Sequence, residues 1–335
     1  MRKYNVGILG ATGAVGREML KVLEERNFPI NELRLLASSR SVGKIILFKG
    51  QEYTINLASH DAFEGLDFVL GAASNAVAKE FANDIVKAKA VFIDNSSAFR
   101  MDDNVPLVVP EINPMDAFKH NGIIANPNCS TIITLMAVAA INKLSKIKAM
   151  VASTYQATSG AGAQGPVELC EQMDAVLNNK EIKPQVFQYQ IVHNVIPHIG
   201  SFLENGYTTE EMKMQNEGRK IMHLPDLKVT CTCVRVPVLR SHCISVSVYT
   251  EDVLNLDDVK NAIANYPGCR LYDSPNEKQY PMPIVTSDQD LVYVGRIRKD
   301  LVFENGITLW CSGDQVRKGA ATNAVQIAMK LIGLE

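Results

Sequence analysis

"YNVGILGATGAVGREMLKVLEER" (residues 4–26) sets a short apolar run before a glycine-spaced turn and a helical pattern. "YNVGILG" (4–10) reads as a buried strand and "GREMLKVLEER" (16–26) as an amphipathic helix. Gly7, Gly10, Gly13 and Gly16 recur at every third position across the junction. Small residues at a strand-to-helix turn let the backbone approach a phosphate, whose charge the first helical amides stabilise. The spacing is G-x-x-G-x-x-G rather than G-x-G-x-x-G, so the motif's place in a β-turn-α unit carries more weight than its pattern.

Working outward, "ELRLLAS" (32–38), "LDFVLGAA" (66–73) and "KAVFIDN" (89–95) read as further strands, with a helix over "VAKEFANDIVKA" (77–88). Strands alternating with helices imply a doubly wound parallel sheet of Rossmann type. After Asn128 the texture changes. A helix over about 130–143 leads into the strand "KAMVASTYQATSG" (148–160), and helices follow near 165–178 and 208–222. "KVTCTCVRVPVL" (228–239), "CISVSVYTE" (243–251), "LVYVGRIRKD" (291–300) and "GITLWCSGD" (306–314) then read as strands of a mainly antiparallel or mixed sheet. The terminal helix (315–332) is expected to pack back on the first sheet. The expected domains are 1–128 plus 315–335 for cofactor binding, and a second α+β domain over 129–314 for catalysis and dimerisation.

Composition narrows the class. The chain has 335 residues, 47% hydrophobic and 21% charged, as expected for a globular protein of two domains. A net charge of −2 offers no basic surplus for a nucleic-acid backbone. The longest apolar run is about ten residues against the ~20 that a membrane span needs, so no membrane partner is expected. Strand character from Tyr4 leaves no room for a signal or transit peptide, and a cytoplasmic location is the expectation. The seven cysteines, at 129, 170, 231, 233, 243, 269 and 311, are odd in number and are expected to be free thiols. C-x-C at 231–233 followed by His242-Cys243 matches no usual zinc spacing, and no metal is expected.

The dinucleotide follows from the second strand. NAD sites usually end it with an acidic residue on the ribose 2′-hydroxyl. Here it ends "LLASSRSVGK" (35–44), with Ser38, Arg40 and Ser41 and no carboxylate. An arginine among hydroxyls suits a 2′-phosphate, so NADP is expected. Its contacts would be Gly10, Thr12, Gly13, Ala14 and Val15 in the turn, with Ser38, Arg40 and Ser41.

The chemistry centres on "NPNCSTIITLMAVAA" (126–140), which reads as a loop, an N-cap and then an apolar helix, with Asn128 or Cys129 near the first free amides. Helix-start amides and the helix dipole favour a thiolate, the nucleophile needed to hold an acyl group as a thioester. Among the six histidines, His242 follows Arg235 by seven residues. Fully extended, that interval spans about 23 Å; a bend at Pro237 would let both face one pocket, and a hydrogen-bonded core or surface histidine is the alternative.

"GATGAVG" (10–16), "NPNCST" (126–131), "YQATSGAG" (155–162) and "VRVPVLRSH" (234–242), in this order and at these separations, resemble the aspartate-β-semialdehyde dehydrogenase family over essentially the whole chain. "PNCST" is the most specific of them. The resemblance implies NADPH-dependent reductive dephosphorylation of L-aspartyl-4-phosphate to L-aspartate 4-semialdehyde through a cysteine thioester, in lysine, methionine and threonine biosynthesis. Cys129 would be the nucleophile, Gln156 the residue orienting the acyl group, and His242 the proton acceptor and donor. Arg235 would hold the substrate carboxylate and Glu210 (alternatively Glu211) its ammonium. Lys213, Arg100 and Ser97 would bind phosphate. Ser159, Gly160 and Gln315, the last from the start of the terminal helix, would lie against the nicotinamide. The same resemblance implies a homodimer, possibly a homotetramer.

Overall fold

A computed structural model describes residues 2–334. The chain forms two compact units, one running to Asn128 and resuming at Ala320, the other spanning Cys129–Gly319.

The first unit contains β1 (Tyr4–Leu9), α1 (Ala14–Glu25), β2 (Ile30–Ala37), β3 (Ile45–Phe48), β4 (Gln51–Thr54), β5 (Asn56–Leu57), β6 (Phe68–Gly71), α2 (Asn75–Lys87), β7 (Val91–Asp94) and β8 (Ile123–Ala125). Six strands form a wholly parallel sheet in the order β5-β2-β1-β6-β7-β8. Both faces are covered. Ile8 and Leu35 point into a core with Met19 and Leu23 of α1, while their neighbours Leu9 and Leu36 point into a second core with Phe81 and Ile85 of α2. A strand buried on both sides must be apolar at consecutive positions, which is why "VGILG" shows no alternation. The β3–β4 hairpin, absent from the sequence reading, turns at Lys49 and Gly50, both at positive φ.

The second unit contains α3 (Cys129–Leu144), β9 (Ile147–Gln156), α4 (Gln164–Leu177), α5 (Thr209–Met222), β10 (Lys228–Arg235), β11 (His242–Thr250), α6 (Leu256–Ala264), β12 (Cys269–Leu271), α7 (Pro283–Thr286), β13 (Val292–Lys299) and β14 (Gly306–Gly313). Its sheet is mixed, in the order β10-β9-β11-β14-β13-β12. The two outer pairs are parallel and the inner three antiparallel. α3 is buried all round from Ser130 to Ile141, as a helix apolar on every side but for Ser130, Thr131 and Thr134 requires. On the sheet's other face Tyr155 and Trp310 meet with ring centroids 5.2 Å apart.

The last helix is not continuous α-helix from residue 315. Arg317–Ala321 is a π turn, and α8 (Thr322–Leu331) follows and buries Val325, Ile327 and Ala328 in the α1 core of the first unit. The passage between units lies at 319/320, five residues beyond the expected one. After β14 ends, Asp314 keeps the chain in the second unit: its buried carboxylate accepts from the N–H groups of Val316 and Arg317 and from Arg240 Nε.

The glycine turn shows why size matters there. Gly10 sits at φ +89°, and a Cβ on it would stand 2.5 Å from the Ala72 carbonyl oxygen. Gly13 has an ordinary φ of −72° and would meet nothing closer than 3.4 Å. Gly10→Ala is therefore expected to lower stability by about 1–3 kcal/mol, and Gly13→Ala by less than about 1 kcal/mol. Chemical denaturation of both variants checks this; equal losses would contradict the steric reading of Gly10.

Candidate active site

β9 and β10 run parallel and end together, with Gln156 in register with Arg235. β11 lies antiparallel on the other side of β9 and begins at His242. Three strand ends thus deliver Gln156, Arg235 and His242 to one edge of the sheet. The segment between Arg235 and His242 folds back through a turn in which Val238 N–H bonds the Val236 carbonyl at 2.8 Å, so the bend expected from Pro237 is present.

The peptide of Ala157, one residue past β9, holds two of these side chains. Its N–H donates to His242 Nδ1 at 3.0 Å, and its carbonyl accepts from Arg235 Nη1 at 2.6 Å. His242 is completely buried and Arg235 nearly so. Gly160 lies flush against both: a Cβ there would stand 2.7 Å from Arg235 Nη1 and 3.0 Å from His242 Cε1. The Arg235 guanidinium also faces the Phe187 ring, 5.9 Å from its centroid. Burial pushes the His242 imidazole down to about 3; the Arg235 charge adds to the shift and Glu210 opposes it. Burial likewise lowers the Arg235 guanidinium below its ordinary value, against the opposing pull of Cys129, Glu210 and Cys233.

The first turn of α5 separates the two candidate carboxylates. Glu211 completes a capping box with Thr208, its Oε2 accepting from Thr208 N–H at 2.7 Å. Its Oε1 accepts from Cys233 N–H at 3.0 Å, satisfying a donor on the outer edge of β10. Glu211 is thus committed to backbone. Glu210 instead accepts from Gln156 Nε2 at 3.2 Å and pairs with Lys213 Nζ at 2.8 Å. Thr154 Oγ1 donates to Gln156 Oε1 at 2.9 Å and orients that amide.

Cys129 is the first residue of α3 and half-buried. Helical amides of a first turn lack partners inside the helix, and the dipole there favours an anion. The chain closes on it tightly, since a Cβ on Gly319 would stand 2.9 Å from Cys129 Cβ. Gly319 belongs to the π turn, where its N–H bonds the Asp314 carbonyl at 3.0 Å. The interior thiols differ. Burial pushes Cys243 up to about 11 and Cys311 well above its ordinary value. Cys231 is raised by its contact with Cys233, 3.8 Å away, and by burial. Among the described residues no group of three or more His, Cys, Asp or Glu is arranged to hold a metal, and no helix is long and apolar enough to cross a membrane.

Gln315 lies between β14 and the π turn, not at the start of a helix. It donates to Ser159 Oγ and accepts from Ser241 N–H at 2.8 Å, beside His242. In the first unit a cavity of about 430 Å³ is lined by Gly10, Thr12, Gly13, Ser38 and Arg40, five of the expected cofactor contacts. Ala14, Val15 and Ser41 do not line it, although Ser41 Oγ reaches Thr12 Oγ1 at 3.4 Å. The wall also includes Ala72, Val77 and Phe81, which the sequence reading missed because they come from the residue after β6 and from α2 and carry no motif. Arg100 is buried and donates to the Asn126 and Asn95 carbonyls, both at 2.9 Å. Ser97 Oγ meets Asn75 at the start of α2. Ala157 and Gly319 were missed as well: one acts through its peptide and the other through having no side chain, so neither leaves a residue-type signal.

Two family models match the chain, "Semialdehyde dehydrogenase, NAD binding domain" over residues 5–120 and "Semialdehyde dehydrogenase, dimerisation domain" over residues 138–318. Among curated proteins, aspartate-semialdehyde dehydrogenase of Aquifex aeolicus is 52% identical over 98% of this chain and 98% of its own length. That of Bacillus subtilis is 50% identical over the same shares. Among solved structures, aspartate semialdehyde dehydrogenase II of Vibrio cholerae complexed with ASA superimposes with a TM-score of 0.97 at 42% identity, covering 99% of each chain.

The depressed His242 value has a signed consequence. The imidazole is neutral in the fold down to about pH 3 but takes up a proton near 6.5 once unfolded. Between those values the unfolded state binds the extra proton, so stability falls as pH drops below 6.5. The loss at pH 5 is about 2 kcal/mol. His242→Asn should remove it, so the urea midpoint of the wild type should fall more than that of the variant between pH 7 and pH 5. Glu211→Gln should cost about 1 kcal/mol or more through the lost capping box, and Glu210→Gln much less.

Proposed function

The chain belongs to the aspartate-semialdehyde dehydrogenase family, and on that premise we propose that it reduces L-aspartyl-4-phosphate to L-aspartate 4-semialdehyde with NADPH, through a thioester on Cys129. It is an oxidoreductase with a nicotinamide cofactor. The observation that carries the proposal is the convergence of Gln156, Arg235 and His242 at one edge of the sheet, the last two held by the Ala157 peptide, with Cys129 heading α3 within electrostatic reach of Arg235.

The cofactor reading is supported by the turn and cavity of the first unit. Gly10, which has no Cβ to strike the Ala72 carbonyl, lets the turn close beside the cavity that it lines, and Arg40 with Ser38 offers donors for a 2′-phosphate. When bound, the nicotinamide supplies hydride. Ser159, Gly160 and Gln315 are its proposed neighbours in the second unit.

The protein's own groups then divide the work. Cys129 attacks the acyl phosphate, and phosphate departs with its charge neutralised by Lys213 and Arg100, Ser97 assisting. Arg235 holds the substrate carboxylate with a planar fork that matches it. Glu210 receives the substrate ammonium. In the protein alone Glu210 pairs with Lys213, so substrate binding exchanges that pair for ammonium on one side and phosphate on the other. Gln156 orients the acyl group, and His242 serves the proton chemistry of the carbonyl oxygen. A substrate without the ammonium would leave the Glu210 carboxylate unmatched, which disfavours CoA thioesters and N-acetylated acyl phosphates. The second unit is the proposed surface of a homodimer, in keeping with the dimerisation domain that it matches. The product would feed lysine, methionine and threonine synthesis.

Reduction of NADP⁺ with L-aspartate semialdehyde should require inorganic phosphate and should vanish in Cys129→Ala while NADPH still binds. Turnover by Cys129→Ala near the wild-type rate would remove the thioester. Arg40→Ala should weaken NADPH by tenfold or more, roughly 1.4 kcal/mol, and NADH hardly at all. Equal losses for the two would remove the 2′-phosphate assignment.

A further inference from the structure

The chain between α4 and α5, residues 178–208, contains no α-helix and no strand, yet its middle is pinned by two buried side chains of α4. One carboxylate oxygen of Glu168 accepts from the Gln185 N–H at 3.0 Å and also takes the Val186 N–H. The other accepts from Gln172 Nε2 at 2.9 Å. Gln172 Oε1 in turn takes the N–H groups of Ile191 and Val192, at 2.8 and 3.1 Å. Both side chains are buried. A carboxylate taken out of water is costly unless its oxygens are bonded, and here the bonds satisfy amides of a segment that has no ladder of its own. Glu168 and Gln172 stand four residues apart, on one face of α4.

The pinned segment reaches Arg235 twice. Ile196 exchanges both backbone hydrogen bonds with Arg235, at 2.9 and 2.8 Å. Phe187 packs with Leu169, Ile191, Val192 and Ile196, and the Arg235 guanidinium carbon stands over its ring, 5.9 Å from the centroid. At 7% exposure Arg235 has lost most of its water. Its Nη1 is committed to the Ala157 carbonyl, and the Phe187 ring bounds the guanidinium as a second partner. An aromatic face attracts a cation, most strongly out of water, and a flat guanidinium can lie on it while keeping N–H groups for an anion.

We propose, on the assignment of Arg235 to the substrate carboxylate, that residues 185–196 form a strap that sets how tightly the site holds that carboxylate. Phe187 positions Arg235, and Glu168 with Gln172 positions Phe187. Phe187 is a positioning residue: it acts through the guanidinium and not on the reacting carbon. Losing the ring lets the guanidinium turn from the carboxylate but leaves Cys129 at the head of α3 and His242 on the Ala157 N–H. The strap therefore acts on KM and leaves kcat alone.

Steady-state kinetics of phosphate-dependent NADP⁺ reduction with L-aspartate semialdehyde test this on the full chain. Phe187→Leu keeps apolar packing and removes the ring; it should raise the semialdehyde KM about tenfold with kcat within about twofold of wild type. Phe187→Tyr keeps the ring and should leave KM within about threefold of wild type. Glu168→Gln weakens the clasp and keeps the ring. It should shift KM the same way by a smaller factor, and it replaces Phe187→Leu throughout if that variant misfolds. Arg235→Lys checks the carboxylate assignment and should raise KM more than Phe187→Leu does. Adding Phe187→Leu to Arg235→Lys should raise KM by less than about a further twofold, because the ring works through the guanidinium. An unchanged KM in Phe187→Leu, equal rises in the Leu and Tyr variants, or losses that multiply in the double variant would overturn the strap. An unchanged KM in Arg235→Lys would instead withdraw the carboxylate assignment, and the strap's role with it. No turnover by the folded wild type would withdraw the function itself and the strap's role together.

Discussion

A single peptide group, that of Ala157, holds the reactive edge of the second unit together. Its two polar atoms face opposite ways across the end of β9, so the N–H reaches His242 on one side and the carbonyl takes Arg235 on the other. Both partners are long polar side chains taken out of water, and burial is the first cause of the shift in each. Desolvated groups of that kind are costly unless hydrogen-bonded, and here the backbone supplies the bonds. Side-chain chemistry is left free to face a substrate. The strands to either side have to end where they do for this to work, which is why the sheet order matters more than any single residue.

Close approach is the second constraint. Gly160 against Arg235 and His242, Gly319 against Cys129, and Gly10 against the Ala72 carbonyl are places where a methyl group would meet atoms at 2.5–3.0 Å. Each lies beside a group assigned to chemistry or to the cofactor. The π turn at 317–321 belongs with these features: it brings Gly319 onto Cys129, and Asp314 and Gln315 just before it tie the chain to Arg240, Ser159 and Ser241. A regular helix from residue 315 would have offered no such set of bonds.

Functional and structural roles also divide within identical residue types. Glu210 and Glu211 are adjacent, yet one carboxylate faces Gln156 and Lys213 while the other is used up by Thr208 and Cys233 amides. The cysteines divide likewise. Cys243 and Cys311 are interior thiols whose ionisation burial suppresses, whereas Cys129 stands half-buried at a helix start. Which carboxylate or thiol is available is decided by what the backbone has already claimed.

Much of this was legible in the chain itself. Strands alternating with helical patterns over the first 110 residues announced a doubly wound parallel sheet, and the glycine-spaced turn before α1 announced a phosphate-sized approach. "NPNCST" and "VRVPVLRSH" marked Cys129, Arg235 and His242 through their resemblance to a known family, and periodicity marked α1 and α2. Local rules suffice there because a strand's burial, a turn's glycine or a helix's first residue is a short-range property of the chain. The β3–β4 hairpin, the π turn, the Glu210/Glu211 distinction, the Gly319 contact and the Ala157 bond to His242 were not legible. The hairpin and the π turn are local but carry no residue pattern that sets them apart, whereas the side-chain contacts depend on partners tens of residues distant: Ala157 and His242 are 85 apart, and Glu211 and Cys233 are 22 apart. Residue types and their order determined the class of chemistry. Only the tertiary pairing of strand ends decided which nitrogen, which carboxylate and which backbone amide take part, because a hydrogen bond is set by where two groups meet in space.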